Sequence, residues 1–193
     1  MKYVVKEFSN TLEIKKSKFI THLCPYDKFD EMMNRLKDEH PKARHFVYGY
    51  RFLNEFDQIV ENSSDDGEPK GTSGRPSLKV LNGADIINTG VIIVRYFGGI
   101  RLGTGGLVKA YSDAVNLVCA KAEFFEYEKL ETRILKLEYN ILGQVEYLLN
   151  NSKITIKNKQ FDSGVILTLS TTKEKFDLLK ENLPIGTSLD VYI

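Results

Sequence analysis

Arg95-Tyr96-Phe97-Gly98-Gly99-Ile100-Arg101-Leu102-Gly103-Thr104-Gly105-Gly106-Leu107-Val108-Lys109-Ala110-Tyr111 joins the most apolar run of the chain, Val91-Ile92-Ile93-Val94, to a strongly periodic helical pattern. Five glycines lie between the two elements, with Arg95, Arg101 and Lys109 around them and no acid among them. Glycine permits positive φ and close backbone approach. A glycine-rich turn from a strand into a helix aims several N–H groups at one point, with the helix dipole behind them. The physical expectation is an anion or phosphate cradle using Arg95, Gly98, Gly99, Arg101, Gly105, Gly106 and Lys109. The alternative is a tight turn whose glycines only let the helix pack on the sheet.

Two well-known phosphate motifs do not fit. G-x-G-x-x-G started at Gly103 meets Val108 in its sixth position, and Gly98 and Gly103 have P-loop spacing without the lysine that must follow.

Working outward, residues 89–97 read as a central strand, apolar on both faces, and residues 105–121 as a helix with Leu107, Val108, Tyr111, Ala114, Val115, Val118, Cys119 and Ala122 on its inner stripe. Ser63 to Pro76 is a long loop of turn formers, expected to be functional at this length. Its Gly71, Thr72 and Gly74 join the expected ligand-binding set, and Asp65, Asp66 and Glu68 are its polar cleft residues. Asp65-Asp66-Gly67 lacks EF-hand spacing, and Gly71-Thr72-Ser73-Gly74 is not a nucleophile elbow. Pro76 suits the first turn of a short helix that stops at Asn82-Gly83.

Upstream, Tyr3–Val5, Leu12–Ile14 and Phe19–Leu23 read as extended. Lys15, Lys16 and Lys18 cluster between the last two, either as a phosphate contact or as a solvated hairpin end. Asp27 is placed to cap a helix over 28–40. Residues 43–52 alternate, with Phe46, Tyr48, Tyr50 and Phe52 on one face and His45, Val47, Gly49 and Arg51 on the other. The aromatic face, the less polar one, is expected to pack on a helix, with base stacking as the alternative. His45 is the histidine retained as a cleft residue. A further strand is expected over Phe56–Val60.

From about residue 132 the rhythm changes. Strand 134–139, helix 141–150, strand 154–161, a turn at Asp162-Ser163-Gly164, strand 165–170, a helix capped by Thr172 and a last strand over 189–193 give β-α-β-β-α-β, the order of a ferredoxin-like domain. The expected fold class is therefore α+β, with domains over 1–130 and 131–193.

With 193 residues, 42% hydrophobic and 27% charged, the chain is of soluble globular composition. A net charge of +1 gives no global pull toward nucleic acid or membrane, so such binding must come from a local patch. Cys24 and Cys119 sit among apolar neighbours, as buried free thiols of a reducing, cytoplasmic setting. Neither C-x-x-C nor H-E-x-x-H spacing occurs, so no metal and no cofactor is expected, and no apolar run is long enough for a membrane.

Ser64-Asp65-Asp66-Gly67-Glu68-Pro69, Gly71-Thr72, Gly74, Arg95-Tyr96-Phe97-Gly98-Gly99-Ile100, Leu102-Gly103 and Gly105-Gly106-Leu107-Val108 resemble the IMPACT/YigZ family, as do Lys16-Ser17-Lys18-Phe19 and Ala43-Arg44-His45. The resemblance covers about two thirds of the chain. Lys70 and Ser73 depart from it, as does the aromatic Phe46–Tyr50 strand. It implies an N-terminal domain like the second domain of a small-subunit ribosomal protein and domain four of elongation factor G, a β-sheet with helices on one face. It also implies a C-terminal domain like that factor's fifth. For function it implies a non-enzymatic binding protein linked to translation, with RNA or the ribosome as partner, or a translation-regulatory protein. A hydrolase is the alternative, with Asp66 or Glu68 as base and His45 assisting. The sequence offers no metal-ligand set for the dipeptidase activity attributed to some relatives.

Overall fold

The computed structural model describes residues 1–190. The chain divides into two compact units, Met1–Tyr127 and a second beginning at Glu128.

The first unit is built on five antiparallel strands. In chain order its elements are β1 (Lys2–Tyr3), β2 (Phe8–Ile14), β3 (Ser17–Pro25), α1 (Phe29–Glu39), β4 (His45–Leu53), β5 (Ile59–Ser64), α2 (Gly74–Gly83), β6 (Thr89–Tyr96), α3 (Gly103–Lys121) and β7 (Phe125–Glu126). The sheet order is β2-β3-β6-β4-β5, and β1 pairs separately with β7. The central strand β6 is buried along nearly its whole length, as an apolar run should be. Its alternate residues serve two cores. Val91 and Ile93 join Phe19, Val47, Leu107, Tyr111 and Val115 under α2 and α3. Ile92 and Val94 join Cys24, Phe29, Met32 and Leu36 under α1.

Helices therefore cover both faces, which corrects the one-faced sheet implied by the family resemblance. The cause lies in the aromatic strand. Phe29 of α1 meets Tyr48 and Tyr50 edge-on, with centroids 5.4 and 5.2 Å away. The face of β4 that looks polar is the more deeply buried one, with Val47 fully enclosed and Arg51 5% exposed. Arg51 Nε donates to Glu61 at 2.6 Å and Nη1 to the Ile86 carbonyl at 2.8 Å.

Two local expectations shift. Phe56 lies 72% exposed in the turn that Asn54 organises by accepting from the Phe56 and Gln58 amides, so β5 starts at Ile59 and runs to Ser64. No side chain caps α1; Asp27 sits instead in a 3-10 turn over Tyr26–Lys28.

The second unit follows the order β8 (Glu131–Leu137), α4 (Leu142–Asn151), β9 (Thr155–Phe161), β10 (Val165–Thr171), α5 (Lys173–Lys180) and β11 (Thr187–Asp190). Its antiparallel sheet runs β11-β8-β10-β9. Leu135, Leu167, Leu169, Val145, Leu149 and Phe176 fill its core. Thr172 caps α5 by accepting from the Lys175 amide. The strand expected over 189–193 is described as far as Asp190; residues 191–193 lie outside the described residues.

Candidate anion-binding site at one end of the sheet

One end of the five-stranded sheet gathers the C-terminus of β6, the N-termini of β3 and β4 and the C-terminus of β5. Both segments singled out in the sequence arrive there. Glu68 of the 65–73 loop is the link: Arg95 Nη1 donates to Glu68 Oε1, and both side chains are nearly sealed, at 6% and 4% exposure. The Tyr111 hydroxyl donates to the same oxygen at 2.9 Å, and His45 Nε2 stands 3.9 Å away. Burial, then the Glu68 charge, pushes the Tyr111 phenol well above its ordinary range. His45 Nδ1 bonds the Asp66 carbonyl at 2.8 Å; a carbonyl only accepts, so Nδ1 carries the proton.

Asp65 organises the loop. Its Oδ2 accepts from the Gly71 amide at 2.6 Å. Its Oδ1 accepts from the Ser73 and Gly74 amides at 3.0 and 2.8 Å and from the Ser73 hydroxyl at 2.7 Å. Asp66 Oδ2 accepts from the Phe46 amide at 2.6 Å, tying the loop to β4. The Thr72 amide and hydroxyl both donate to the Pro69 carbonyl.

These bonds correct part of the expected ligand-binding set. The amides of Gly71, Thr72 and Gly74 are spent inside the loop, and Arg95 is spent on Glu68. The Gly98 amide donates to Ser17 Oγ at 3.1 Å and is spent as well. Glu68 Oε1 is committed to Arg95 and Tyr111. Gly99, Arg101, Gly105 and Lys109 stay on the surface, and Gly106 is half-buried in the first turn of α3. That turn has neither an acidic residue nor a side-chain cap. Lys109, 78% exposed, is paired with Asp113 at 2.8 Å.

Sequence reasoning missed Ser17 and Tyr111 as parts of this end. Ser17 is buried where β3 begins, and Tyr111 read as one more apolar position of α3. It also left open the role of the lysine cluster. Ile14 pairs with Ser17, so Lys15 and Lys16 alone form the hairpin turn, both at positive φ (46° and 63°). The Lys16 backbone lies directly against Gly98. Lys18 pairs with Tyr96, whose hydroxyl meets His40 Nδ1 at 3.0 Å, and Arg44 immediately precedes β4, whose first residue His45 pairs with Arg95. Lys15, Lys16, Arg44 and Arg101 are exposed, and among the described residues none has a carboxylate partner within 4.0 Å. Lys18 faces Glu13 across the hairpin.

Cys24 and Cys119 are free, and burial pushes their thiols up to about 12 and about 11, so neither is a thiolate near neutral pH. Among the described residues, no group of three or more His, Cys, Asp or Glu is placed to hold a metal, and no helix is long and apolar enough to cross a membrane.

The model of the Impact N-terminal domain matches residues 15–119, more than half of the chain. The chain belongs to the IMPACT family. An IMPACT family member of Haemophilus influenzae is 34% identical over 177 residues, 89% of this chain and 84% of the relative. The IMPACT family member YigZ of Escherichia coli is 37% identical over 166 residues, covering 84% of this chain and 81% of the relative. A solved structure, described as that of a hypothetical protein, superposes with a TM-score of 0.66 at 33% identity, over 94% of this chain and 89% of that one. The Impact N-terminal match contains the whole sheet end, from the Lys15-Lys16 turn to α3.

The loop's acid sensitivity is testable. Burial alone pushes the Asp65 carboxyl up, but the donors from Gly71, Ser73 and Gly74 outweigh it and hold the group below its ordinary value. A depressed native pKa gives stability that is present above the unfolded value, near 3.9, and is lost as pH falls through the native one. Asp65→Asn is expected to lower stability at neutral pH by about 2 kcal/mol, since a donor then faces donors. It is also expected to flatten the acid limb in urea titrations run from neutral pH to about pH 3. Equal acid limbs in the two proteins would show that Asp65 is not the organising carboxylate.

Proposed function

We propose that the chain is a non-enzymatic binding protein of translation or its regulation, which takes RNA, free or in the ribosome, at the cationic end of its five-stranded sheet. One observation carries this reading. At that end Asp65 and Glu68 turn inward to hold amides and Arg95, and the exposed Asp66 is tied to the Phe46 amide, while Lys15, Lys16, Arg44 and Arg101 face solvent without counter-charges. A near-neutral chain thereby acquires a local positive field, which phosphate recognition requires. Gly99 in the loop before α3, with Gly105 and Gly106 in its first turn, adds backbone donors to the same end. The strand order of the second unit, β11-β8-β10-β9, supports reading it as a ferredoxin-like domain.

The experiment is RNA binding by the full chain across a salt series. Each cation that contacts phosphate contributes about one unit to the slope of log K against log salt. Lys16→Ala and Arg101→Ala are each expected to lower the slope by about that amount. Lys109→Ala should change it little, because Asp113 already neutralises Lys109. Slopes unchanged in both Lys16→Ala and Arg101→Ala end this reading and leave a protein partner as the occupant.

A further inference from the structure

Phe97 is 48% exposed at the cationic end of the sheet, and Ile100, in the same loop, is 45% exposed. Single exposed apolar side chains are common; what sets Phe97 apart is an exposed apolar neighbour and an exposed Arg101 in the same loop, with the Lys16 backbone against Gly98. The surroundings of Phe97 fix it in place. The Arg95 guanidinium carbon lies 5.8 Å from its ring centroid and 5.3 Å from that of buried Phe19, so the cation sits near both rings. Arg95 is itself immobilised by Glu68, and the residue after Phe97 is anchored through Ser17 and the Lys16 backbone. The backbone on both sides of Phe97 is thus held by buried contacts, while half of the side chain remains open to solvent. Lys16 and Arg101 flank this loop.

We infer that Phe97 is a stacking platform for an unpaired base, so that the RNA bound here is single-stranded. The inference rests on the RNA-binding reading above and adds the strandedness of the ligand. Duplex RNA offers a cationic patch its phosphates but keeps its bases stacked on one another. A single strand offers both phosphates for Lys16 and Arg101 and a free π-face for Phe97. Charge alone would serve either form; the exposed ring on an anchored backbone is what distinguishes them. Tyr96 does not compete for this role, because its hydroxyl is tied to His40 and its ring lies edge-on to that imidazole.

The test compares an unstructured adenine-rich oligoribonucleotide of about twelve nucleotides with a duplex of the same length, by fluorescence anisotropy on the full chain. Wild type is expected to prefer the single strand. Phe97→Leu is expected to weaken single-strand binding about tenfold while leaving duplex affinity and the salt slope unchanged. Phe97→Trp should retain or improve it. Thermal unfolding of both variants serves as the folding control, and little change is expected for a half-exposed side chain. Equal loss toward both RNAs, or no loss toward either, overturns the platform while the salt-dependent cationic site stands. Absence of salt-dependent binding to either RNA removes the underlying reading together with the platform.

Discussion

Glu68→Gln is expected to destabilise the N-terminal unit by about 3–5 kcal/mol, because it leaves the Arg95 charge buried without its counter-ion. The magnitude follows from enclosure. Glu68 and Arg95 are 4% and 6% exposed, Glu68 also receives the Tyr111 hydroxyl, and Arg95 Nε already lacks a partner. Water cannot replace the lost carboxylate oxygen at such depth, and an amide returns only part of the interaction. The contrast is Lys109–Asp113, an exposed pair at i and i+4, whose removal by Asp113→Asn should cost less than about 0.5 kcal/mol. Urea unfolding of the two variants reads the difference directly. A double variant, Glu68→Leu with Arg95→Met, separates a buried charge from simple loss of packing. It removes both charges at once, and most of the stability lost in Glu68→Gln should return. A loss below about 1 kcal/mol in Glu68→Gln would mean that Arg95 finds water easily. The joint between the 65–73 loop and the glycine-rich segment would then be a surface contact.

The limits of sequence reasoning at this site follow the same division between what is buried and what is left open. The strand β6 and helix α3 are legible because their apolar residues repeat with the period of the element. That same reading already contained the correction to the sheet. A strand apolar on both faces demands cover on both, and the aromatic side of β4 with the Phe29–Met32–Leu36 stripe of α1 supplied the second layer. The polar-looking side of β4 misled because the polarity of Arg51 is consumed by Glu61 and a carbonyl rather than by solvent. The special character of the two glycine-bearing segments was also legible, whereas their free amides were not. Gly71, Ser73 and Gly74 are satisfied by a carboxylate only six to nine residues away, yet nothing in composition distinguishes that aspartate from a ligand-facing one. Gly98 is satisfied by Ser17, 81 residues distant, a pairing that only the sheet register creates. Local pattern locates a segment; long-range register decides which of its donors remain to meet a ligand.

Glycine substitutions along the 98–105 segment separate these roles, and Gly98→Ala is the most damaging of them. A Cβ built on Gly98 falls 2.0 Å from the Lys16 carbonyl carbon, 2.2 Å from its oxygen and 2.3 Å from the Ser17 nitrogen. All three are backbone atoms where the Lys15-Lys16 turn, both residues at positive φ, enters β3, so the turn cannot yield cheaply. The expected loss is about 3 kcal/mol, at the upper end of overpacking costs. It should be accompanied by displacement of the hairpin tip, visible as lost amide protection at Ser17 and Gly98. Gly99→Ala meets no atom within 4 Å, but its φ of 87° costs a side chain about 1–2 kcal/mol. Gly105→Ala meets nothing within 4 Å and lies in the first turn of α3 without a positive φ, so it should be neutral or stabilise by up to about 1 kcal/mol. The order Gly98, Gly99, Gly105 in chemical-denaturation midpoints is thus a measurement of the geometry. If Gly98→Ala proves as mild as Gly105→Ala, the hairpin tip is not packed on the glycine segment. Lys16 would then lose its fixed place against Gly98, and the cationic end would lose its shape along with its partner.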